Sequence, residues 1–183
     1  MGFRPDKKYP FRPHHEGGGR ADILPYSQAL TRNGVLELEP DYAFNMTGFQ
    51  RVADAIMDVT LASGDIVPVV AVPLYVLLKL VAFTDRHLQK DIDGVLHCVR
   101  NYAETNDRRF GLEHEGTAVP YEYGSAYLLG VDGRVFVDEQ LAELIAPVIE
   151  RFVPPDIDLD NDESYREKEN QHYLRWFRAG LGI

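Results

Sequence analysis

Residues 67–102, VPVVAVPLYVLLKLVAFTDRHLQKDIDGVLHCVRNY, carry the strongest core pattern of the chain. After Pro73, which suits the first turn of a helix, apolar side chains recur at i, i+3, i+4 and i+7. These are Leu74, Leu77, Leu78 and Val81. A second helix is predicted from Gln89 or Lys90, because apolar residues again follow helical spacing. They are Ile92, Val95, Leu96, Val99 and Tyr102.

A different face of the first predicted helix carries a phenol and two cations. Tyr75, Lys79, Ala82 and Arg86 share this face, because residues three or four apart lie above one another on a helix. Asp91 follows in the next helix. Two interpretations are open: the cations face a phosphate, or they form a structural ion-pair cluster with Asp91 between the helices.

Length and charge bound the class of protein. A chain of 183 residues with 45% hydrophobic content can form one good core, with or without an appended helical piece. The formal net charge of -10 argues against a general nucleic-acid coat protein. A local cationic face, such as Lys79 with Arg86, can still bind phosphate.

Cysteine use and hydropathy indicate a cytoplasmic protein. Cys98 is the single cysteine, which excludes a disulfide within the chain and favours a reducing compartment. Its apolar neighbours favour a packing role. The longest apolar run, Ile66 to Val81, is interrupted by Pro68, Pro73 and Lys79, so no membrane span and no membrane partner are expected. No signal-peptide pattern opens the sequence either.

The order of the predicted elements gives an α+β fold. Short strands are predicted at Ala21–Tyr26 and Val35–Leu38, and Met57–Leu61 and Ile66–Ala71 form a hairpin pattern around Gly64. Helices are predicted to follow at residues 121–129, 139–152 and 164–182, and a charged loop at 105–116. Strands followed by helices favour α+β over an all-parallel sheet.

We expect three regions along the chain. Residues 1–72 form the strand-rich part, residues 73–153 form helices that pack on it, and residues 154–183 form an acidic linker with a C-terminal amphipathic helix. The first twenty residues are rich in proline and glycine, which predicts extended or turning backbone. His14 and His15 are adjacent in this segment, and they fit a solvated loop better than a metal site because no third ligand stands at a defined spacing.

Asp22 interrupts the apolar pattern of its predicted strand. Alternation along a strand can turn this side chain to solvent. The other interpretation is that it faces a metal and phosphate site at the sheet edge, since carboxylate oxygens are hard ligands for magnesium. Both interpretations are open on the sequence.

Three segments resemble, in their order and spacing, the predicted nucleotidyltransferases related to the AbiEii toxin family. They are GGGRADILPY, the stretch VPVVAVPLYVLLKLVAFTDR with QKDIDGVLHCVRNY, and YEYGSAYLLG. The resemblance covers roughly Phe3 to Phe152, and its best motif is the helix pair with LLKL, Asp85-Arg86 and Lys90-Asp91. It implies a core similar to that of DNA polymerase β: an incomplete nucleotidyltransferase-like mixed sheet followed by a helical C-terminal region.

The family's chemistry is transfer of a nucleoside monophosphate from a nucleoside triphosphate, with Mg²⁺, to an acceptor that is RNA, protein or a small molecule. By position in the motifs, Asp22 would be a catalytic carboxylate and metal ligand, Lys79 a phosphate-facing cation, and Asp91 a carboxylate completing the helical wall. Arg86 and Lys90 would assist with charge and hold the nucleotide. The resemblance also implies a cognate antitoxin as partner.

The sequence departs from the family at the metal site. The family's Gly-Ser turn and D-x-D strand, which precede the strand matched by ADILPY, are not found here, and the second aspartate of the K-D-x-x-D pattern falls on Gly94. We therefore expect either an upstream portion that supplies the missing carboxylates, or a catalytically dead module that binds a nucleotide or a protein partner. An incomplete sheet also predicts a homo-oligomer formed through an exposed sheet edge.

Overall fold

The computed structural model describes residues 2–9, 11–27, 29–39, 42–102, 108–114, 118–153 and 165–183. The chain forms two compact units, Met1–Phe44 and Asn45–Ile183. The predicted acidic linker, residues 154–164, lies outside the described residues. Each unit has its own strands, and the described α-helices all belong to the second unit.

The first unit contains two small sheets. Strands β1 (Phe3–Arg4) and β2 (His14–His15) pair antiparallel. Strands β3 (Thr31–Arg32), β4 (Val35–Glu39) and β5 (Tyr42–Asn45) form a three-stranded sheet in that order, and β5 runs across the boundary between the units. The predicted extended character of the first twenty residues and the predicted strand at Val35 are confirmed.

The predicted strand at Ala21–Tyr26 is wrong. This segment has no regular ladder: the backbone N–H of Ala21 donates to Pro13 and that of Ile23 to Phe11. The side chain of Asp22 forms an ion pair with Arg12. Pro25 also removes a backbone donor that a strand would need. The segment is therefore held by isolated contacts to the preceding chain.

The predicted hairpin is confirmed. Strand β6 (Ile56–Thr60) pairs antiparallel with β7 (Ile66–Val70). The connection turns at Gly64, which adopts the left-handed backbone conformation with φ of 88° that glycine tolerates best. A 3₁₀ helix, Phe49–Ala55, leads into β6.

Two helices follow the hairpin, as the sequence predicts. Helix α1 spans Val72–Arg86, with Pro73 in its first turn, and ends where His87 adopts a left-handed conformation. Helix α2 spans Gln89–Asn101 and places Asp91 in its first turn, where a negative charge favours the positive end of the helix dipole. The apolar positions of both helices face a common core.

The predicted loop at residues 105–116 is wrong in part, since helix α3 spans Arg108–His114. Residues 103–107 and 115–117 lie outside the described residues. Leu112 is buried in a small cluster with Val119 and Leu128, and Arg108 binds Asp132. Tertiary contacts of this kind stabilise a short helix that local sequence does not indicate.

The remaining helices complete the second unit. Helix α4 spans Gly124–Gly133, preceded by a 3₁₀ turn at Tyr121–Tyr123. Helix α5 spans Glu139–Phe152, with the Asp138 side chain accepting the Leu141 backbone N–H as its cap. Helix α6 spans Tyr165–Leu181. These bounds confirm the sequence prediction for three helices.

One hydrophobic cluster holds the second unit together. It combines the apolar faces of α1, α2, α4, α5 and α6, with Phe177 as its largest fully buried side chain. The α+β class is confirmed, but in place of one mixed sheet the strands of the described segments form three separate small sheets. Among the helices of those segments, none combines the length and the apolar content that crossing a bilayer requires.

Candidate functional site

The cations predicted on one face of α1 converge on a single carboxylate of α2. Lys79 Nζ donates to Asp91 Oδ1 at 3.1 Å. The Arg86 guanidinium makes a two-pronged contact, with Nε donating to Oδ2 and an Nη to Oδ1, each at 2.7 Å. A fork-on-fork pair of this kind is the strongest geometry that an arginine forms with a carboxylate. We call Lys79, Arg86 and Asp91 the ion-pair cluster.

The ion-pair cluster combines a buried anion with two partly exposed cations. The Asp91 side chain is 0% exposed, whereas Lys79 is 23% and Arg86 45% exposed. Burial alone raises the pKa of the Asp91 carboxyl, but the hydrogen bonds from Arg86 and Lys79 outweigh it, so that pKa lies below its ordinary value. Asp91 is therefore ionised near neutral pH, and the cluster has a net charge of one positive unit.

Three further residues surround Lys79. Its ammonium lies 5.5 Å from the centre of the Tyr75 ring, which is within the range of a cation–π contact. A Cβ at Gly94 would make only ordinary contacts with Lys79 and Tyr75, so a glycine is not sterically required there. Burial raises the pKa of the Cys98 thiol, which keeps it protonated and a poor nucleophile near neutral pH.

The other two predicted site residues lie elsewhere. Lys90 is exposed in the first turn of α2, one residue before Asp91. Asp22 belongs to the first unit, where its Oδ1 accepts Arg12 Nε at 2.5 Å and its Oδ2 accepts an Arg12 Nη at 2.8 Å. The structure thus brings together Lys79, Arg86 and Asp91, and it places Asp22 against a cation of its own unit. Their proposed catalytic and nucleotide-binding roles stay predictions.

The described residues do not fit the magnesium ion that the family resemblance implies. Both carboxylate oxygens of Asp22 and of Asp91 already accept hydrogen bonds from cations, and hard cations need those oxygens as ligands. Within the parts of the chain that the structure describes, no three His, Cys, Asp or Glu side chains lie close enough to share a metal. His14 instead contacts Asp6, with Nε2 and Oδ2 2.6 Å apart.

A second polar cluster was missed by the sequence analysis. Asp132 of α4 accepts the Tyr102 hydroxyl at 2.8 Å and an Arg108 Nη at 2.9 Å. Asp132 lies 30 residues after Tyr102 and 24 after Arg108, and the three share no motif, so only tertiary structure brings them together. The cluster joins α2, α3 and α4, and each member has a charge or hydrogen-bond partner, which indicates a structural role.

A cavity of about 330 Å³ lies between α2, α5 and α6. Its wall includes Ile92 and Leu174, with Arg151, Asn170 and Gln171 as polar members. The side-chain oxygens of Asn170 and Gln171 are buried, and they find no hydrogen-bond partner among the described residues. The cavity has the mixed lining of a small-molecule site, but these oxygens are shielded from its open space.

Comparisons of the chain with protein-family models, with curated proteins and with solved structures gave no match.

Proposed function

We propose that this chain is a nucleotidyltransferase-like module that binds the phosphates of a nucleoside triphosphate without transferring the nucleotide. The observation that carries the proposal is the ion-pair cluster, in which one buried carboxylate holds two partly exposed cations in fixed positions. The nucleotide itself comes from the resemblance to the AbiEii-related family.

Phosphate binding is favoured by the charge and the order of the cluster. Asp91 neutralises only one of the two cations, so Lys79 and Arg86 retain a net positive charge. Their side chains are already ordered by Asp91, which reduces the conformational entropy that binding would cost. Lys90, which directly precedes Asp91 in α2, is exposed.

The predicted site offers no free carboxylate for the metal ions that nucleotide transfer requires. A nucleotidyltransferase needs carboxylates that hold metal ions against the phosphates. Asp22, the described carboxylate predicted as a metal ligand, is bound by Arg12, and the Asp91 carboxylate is bound by Arg86. The role that we propose for the ion-pair cluster is therefore binding of phosphate.

Equilibrium titration with ATP, GTP, CTP and UTP tests the binding part. Arg86→Ala should weaken binding by roughly tenfold, because one charge-assisted contact contributes about 1.5 kcal/mol or more. Arg175→Ala is the matched control, since Arg175 is an exposed arginine of α6 outside the cluster. Its affinity should equal that of the wild type. Equal losses in both variants, or no binding by the wild type, would overturn the proposal.

A transfer assay tests the second part. The protein is incubated with labelled nucleoside triphosphates and magnesium, alone and with RNA or protein acceptors, and we expect no incorporation of label. Incorporation that disappears in Asp22→Ala would establish an active nucleotidyltransferase and refute the non-catalytic assignment, whatever the outcome of the binding titration.

A further inference from the structure

The hairpin formed by β6 and β7 is unusually apolar for a two-stranded sheet that water reaches. Met57, Val59, Val67 and Val69 share one face, because residues directly opposite each other in the register point the same way. Three of these four side chains are exposed. On the other face, Ile56 is 52% and Ile66 66% exposed. Isolated hairpins of this size are marginal in water, so a further strand would stabilise this one.

The two edges of the hairpin differ in their hydrogen-bonding groups. The Leu61 N–H donates to the Asp65 carbonyl, and the Ala71 N–H donates to the Ala55 carbonyl. The backbone groups of the odd-numbered residues of β6 therefore point toward β7. Asp58 and Pro68 therefore form a pair whose backbone groups point outward, because such pairs alternate along an antiparallel ladder.

Pro68 closes one edge and leaves the other open. Proline lacks an N–H, so the row of outward-pointing backbone groups along β7 has no donor at its centre. Proline at this position is a known means of blocking strand addition. The outward row of β6 consists of Ile56, Asp58 and Thr60, each with both a donor and an acceptor. Within the described segments, β6 pairs only with β7.

We propose that the open edge of β6 pairs with β6 of a second copy of this chain. The two strands run antiparallel about a twofold axis at Val59, which gives a four-stranded sheet in the order β7, β6, partner β6, partner β7. A second copy fits because the same edge is then used twice, as a twofold interface requires.

The position of the axis follows from charge. An axis at Asp58 would place two aspartates directly opposite each other, which is destabilising. An axis at Val59 places Asp58 opposite Thr60 of the second copy, where the hydroxyl can donate to the carboxylate. It also brings Met57 opposite Leu61 and Val59 opposite Val59 on the apolar face, and four backbone hydrogen bonds form between outward groups.

This interface is small, so the dimer is expected to be weak. A hairpin contributes far fewer residues than the roughly 20–30 per partner of a stable complex. Each copy also has a formal net charge of -10, so the copies repel each other. Because salt screens that repulsion, association should strengthen as ionic strength rises.

Sedimentation equilibrium of the full chain over a wide concentration range tests the proposal. We expect a reversible monomer–dimer equilibrium. Asp58→Pro removes two of the four interface hydrogen bonds and none within the hairpin, so the dimer dissociation constant should rise by roughly tenfold or more. Asp58→Ala, which keeps the outward N–H, is the matched control and should still dimerise. Loss of dimer in both variants would refute the backbone pairing.

Cross-linking tests the register independently of affinity. In a Cys98→Ser background, Val59→Cys should form a disulfide-linked dimer under mild oxidation, because the two side chains meet at the axis as a closely spaced pair. Ile66→Cys lies on the far strand and should not cross-link. A wild type that is monomeric at every concentration, with no cross-link at residue 59, would overturn the proposal.

Discussion

Among the described residues, Asp91 is the charged residue of the second unit that is buried. Its carboxylate is fully buried, and it is ionised because two cations on α1 hold it. Burying a charge without such partners would cost several kcal/mol. Lys79 and Arg86 both keep contact with water. Loss of the Asp91 carboxylate should therefore cost less stability than leaving Asp91 buried without its cations.

Asp91→Asn is expected to lower the free energy of unfolding by about 2–4 kcal/mol. This is at the lower end of the loss on breaking a buried ion pair, because the two cations are partly exposed. Urea denaturation followed by circular dichroism measures this. Asp93→Asn is the control: Asp93 is exposed and accepts a hydrogen bond from Gln89, so its loss should change stability by no more than about 0.5 kcal/mol. Equal effects of the two substitutions would contradict the role of the cluster.

The lowered pKa of Asp91 makes the stability of the protein depend on pH. Its folded-state pKa is lowered, so its contribution to stability is fully present above the unfolded-state pKa of about 3.9 and is lost as pH falls through the folded-state value. The stability difference between wild type and Asp91→Asn should therefore be constant near neutral pH and shrink below about pH 4. Urea titrations at a series of pH values measure it. A difference that stays constant into strong acid would show that Asp91 contributes by packing alone.

At the scale of elements, α4 and α6 pack with their backbones in direct contact. A Cβ at Gly180 would overlap the carbonyl oxygen of Tyr127, and a Cβ at Gly130 would overlap that of Phe177. Glycine in a helix costs about 0.5–1 kcal/mol relative to alanine. Here this cost is offset because the backbones can pack directly against each other, which brings Phe177 into the core.

Gly180→Ala should separate α4 from α6 and destabilise the protein by about 3 kcal/mol, as overpacking of a rigid contact does. Gly111→Ala in α3 is the matched control, because a Cβ there meets no atom within 4 Å. Alanine's higher helix propensity should leave that variant as stable as the wild type or slightly more so. Thermal unfolding compares them, and equal melting temperatures for the wild type and Gly180→Ala would refute the close packing.

At the scale of the whole molecule, the two units differ in how much core they contain. The main hydrophobic cluster is formed entirely by residues of the second unit. In the first unit, Leu36 is the one buried apolar side chain among the described residues. The aromatic contacts of the first unit join partly exposed rings; the ring centres of Phe11 and Tyr42, for example, lie 5.4 Å apart. The stability of the chain should therefore come mainly from residues 45–183.

A fragment of residues 45–183 is expected to fold by itself. It contains the complete cluster, so it should show helical circular dichroism and a cooperative urea transition. A fragment of residues 1–44 should show no cooperative transition, since a chain of about 40 residues without staples rarely forms a sufficient core. Non-cooperative melting of the longer fragment would contradict this division.

The sequence by itself determined helices α1 and α2 and their apolar faces. Helical spacing after Pro73 and after Gln89 identified α1 and α2, because that periodicity is a local property of the chain. The same spacing placed Lys79 and Arg86 on one side of α1. The hairpin was also readable, since Gly64 and the alternating apolar residues specify a turn and two strands.

Tertiary structure alone decided what those cations contact. Whether Asp91 faces solvent, a ligand or Lys79 depends on how α1 packs against α2, and no local pattern encodes that. Helix α3 escaped detection because its stability comes from burying Leu112 and pairing Arg108 with Asp132. The segment around Asp22 reads as a strand, yet its backbone has no partner ladder, and Arg12 binds the Asp22 carboxylate. Periodicity records local preference, whereas burial and ion pairing depend on residues far apart in the chain.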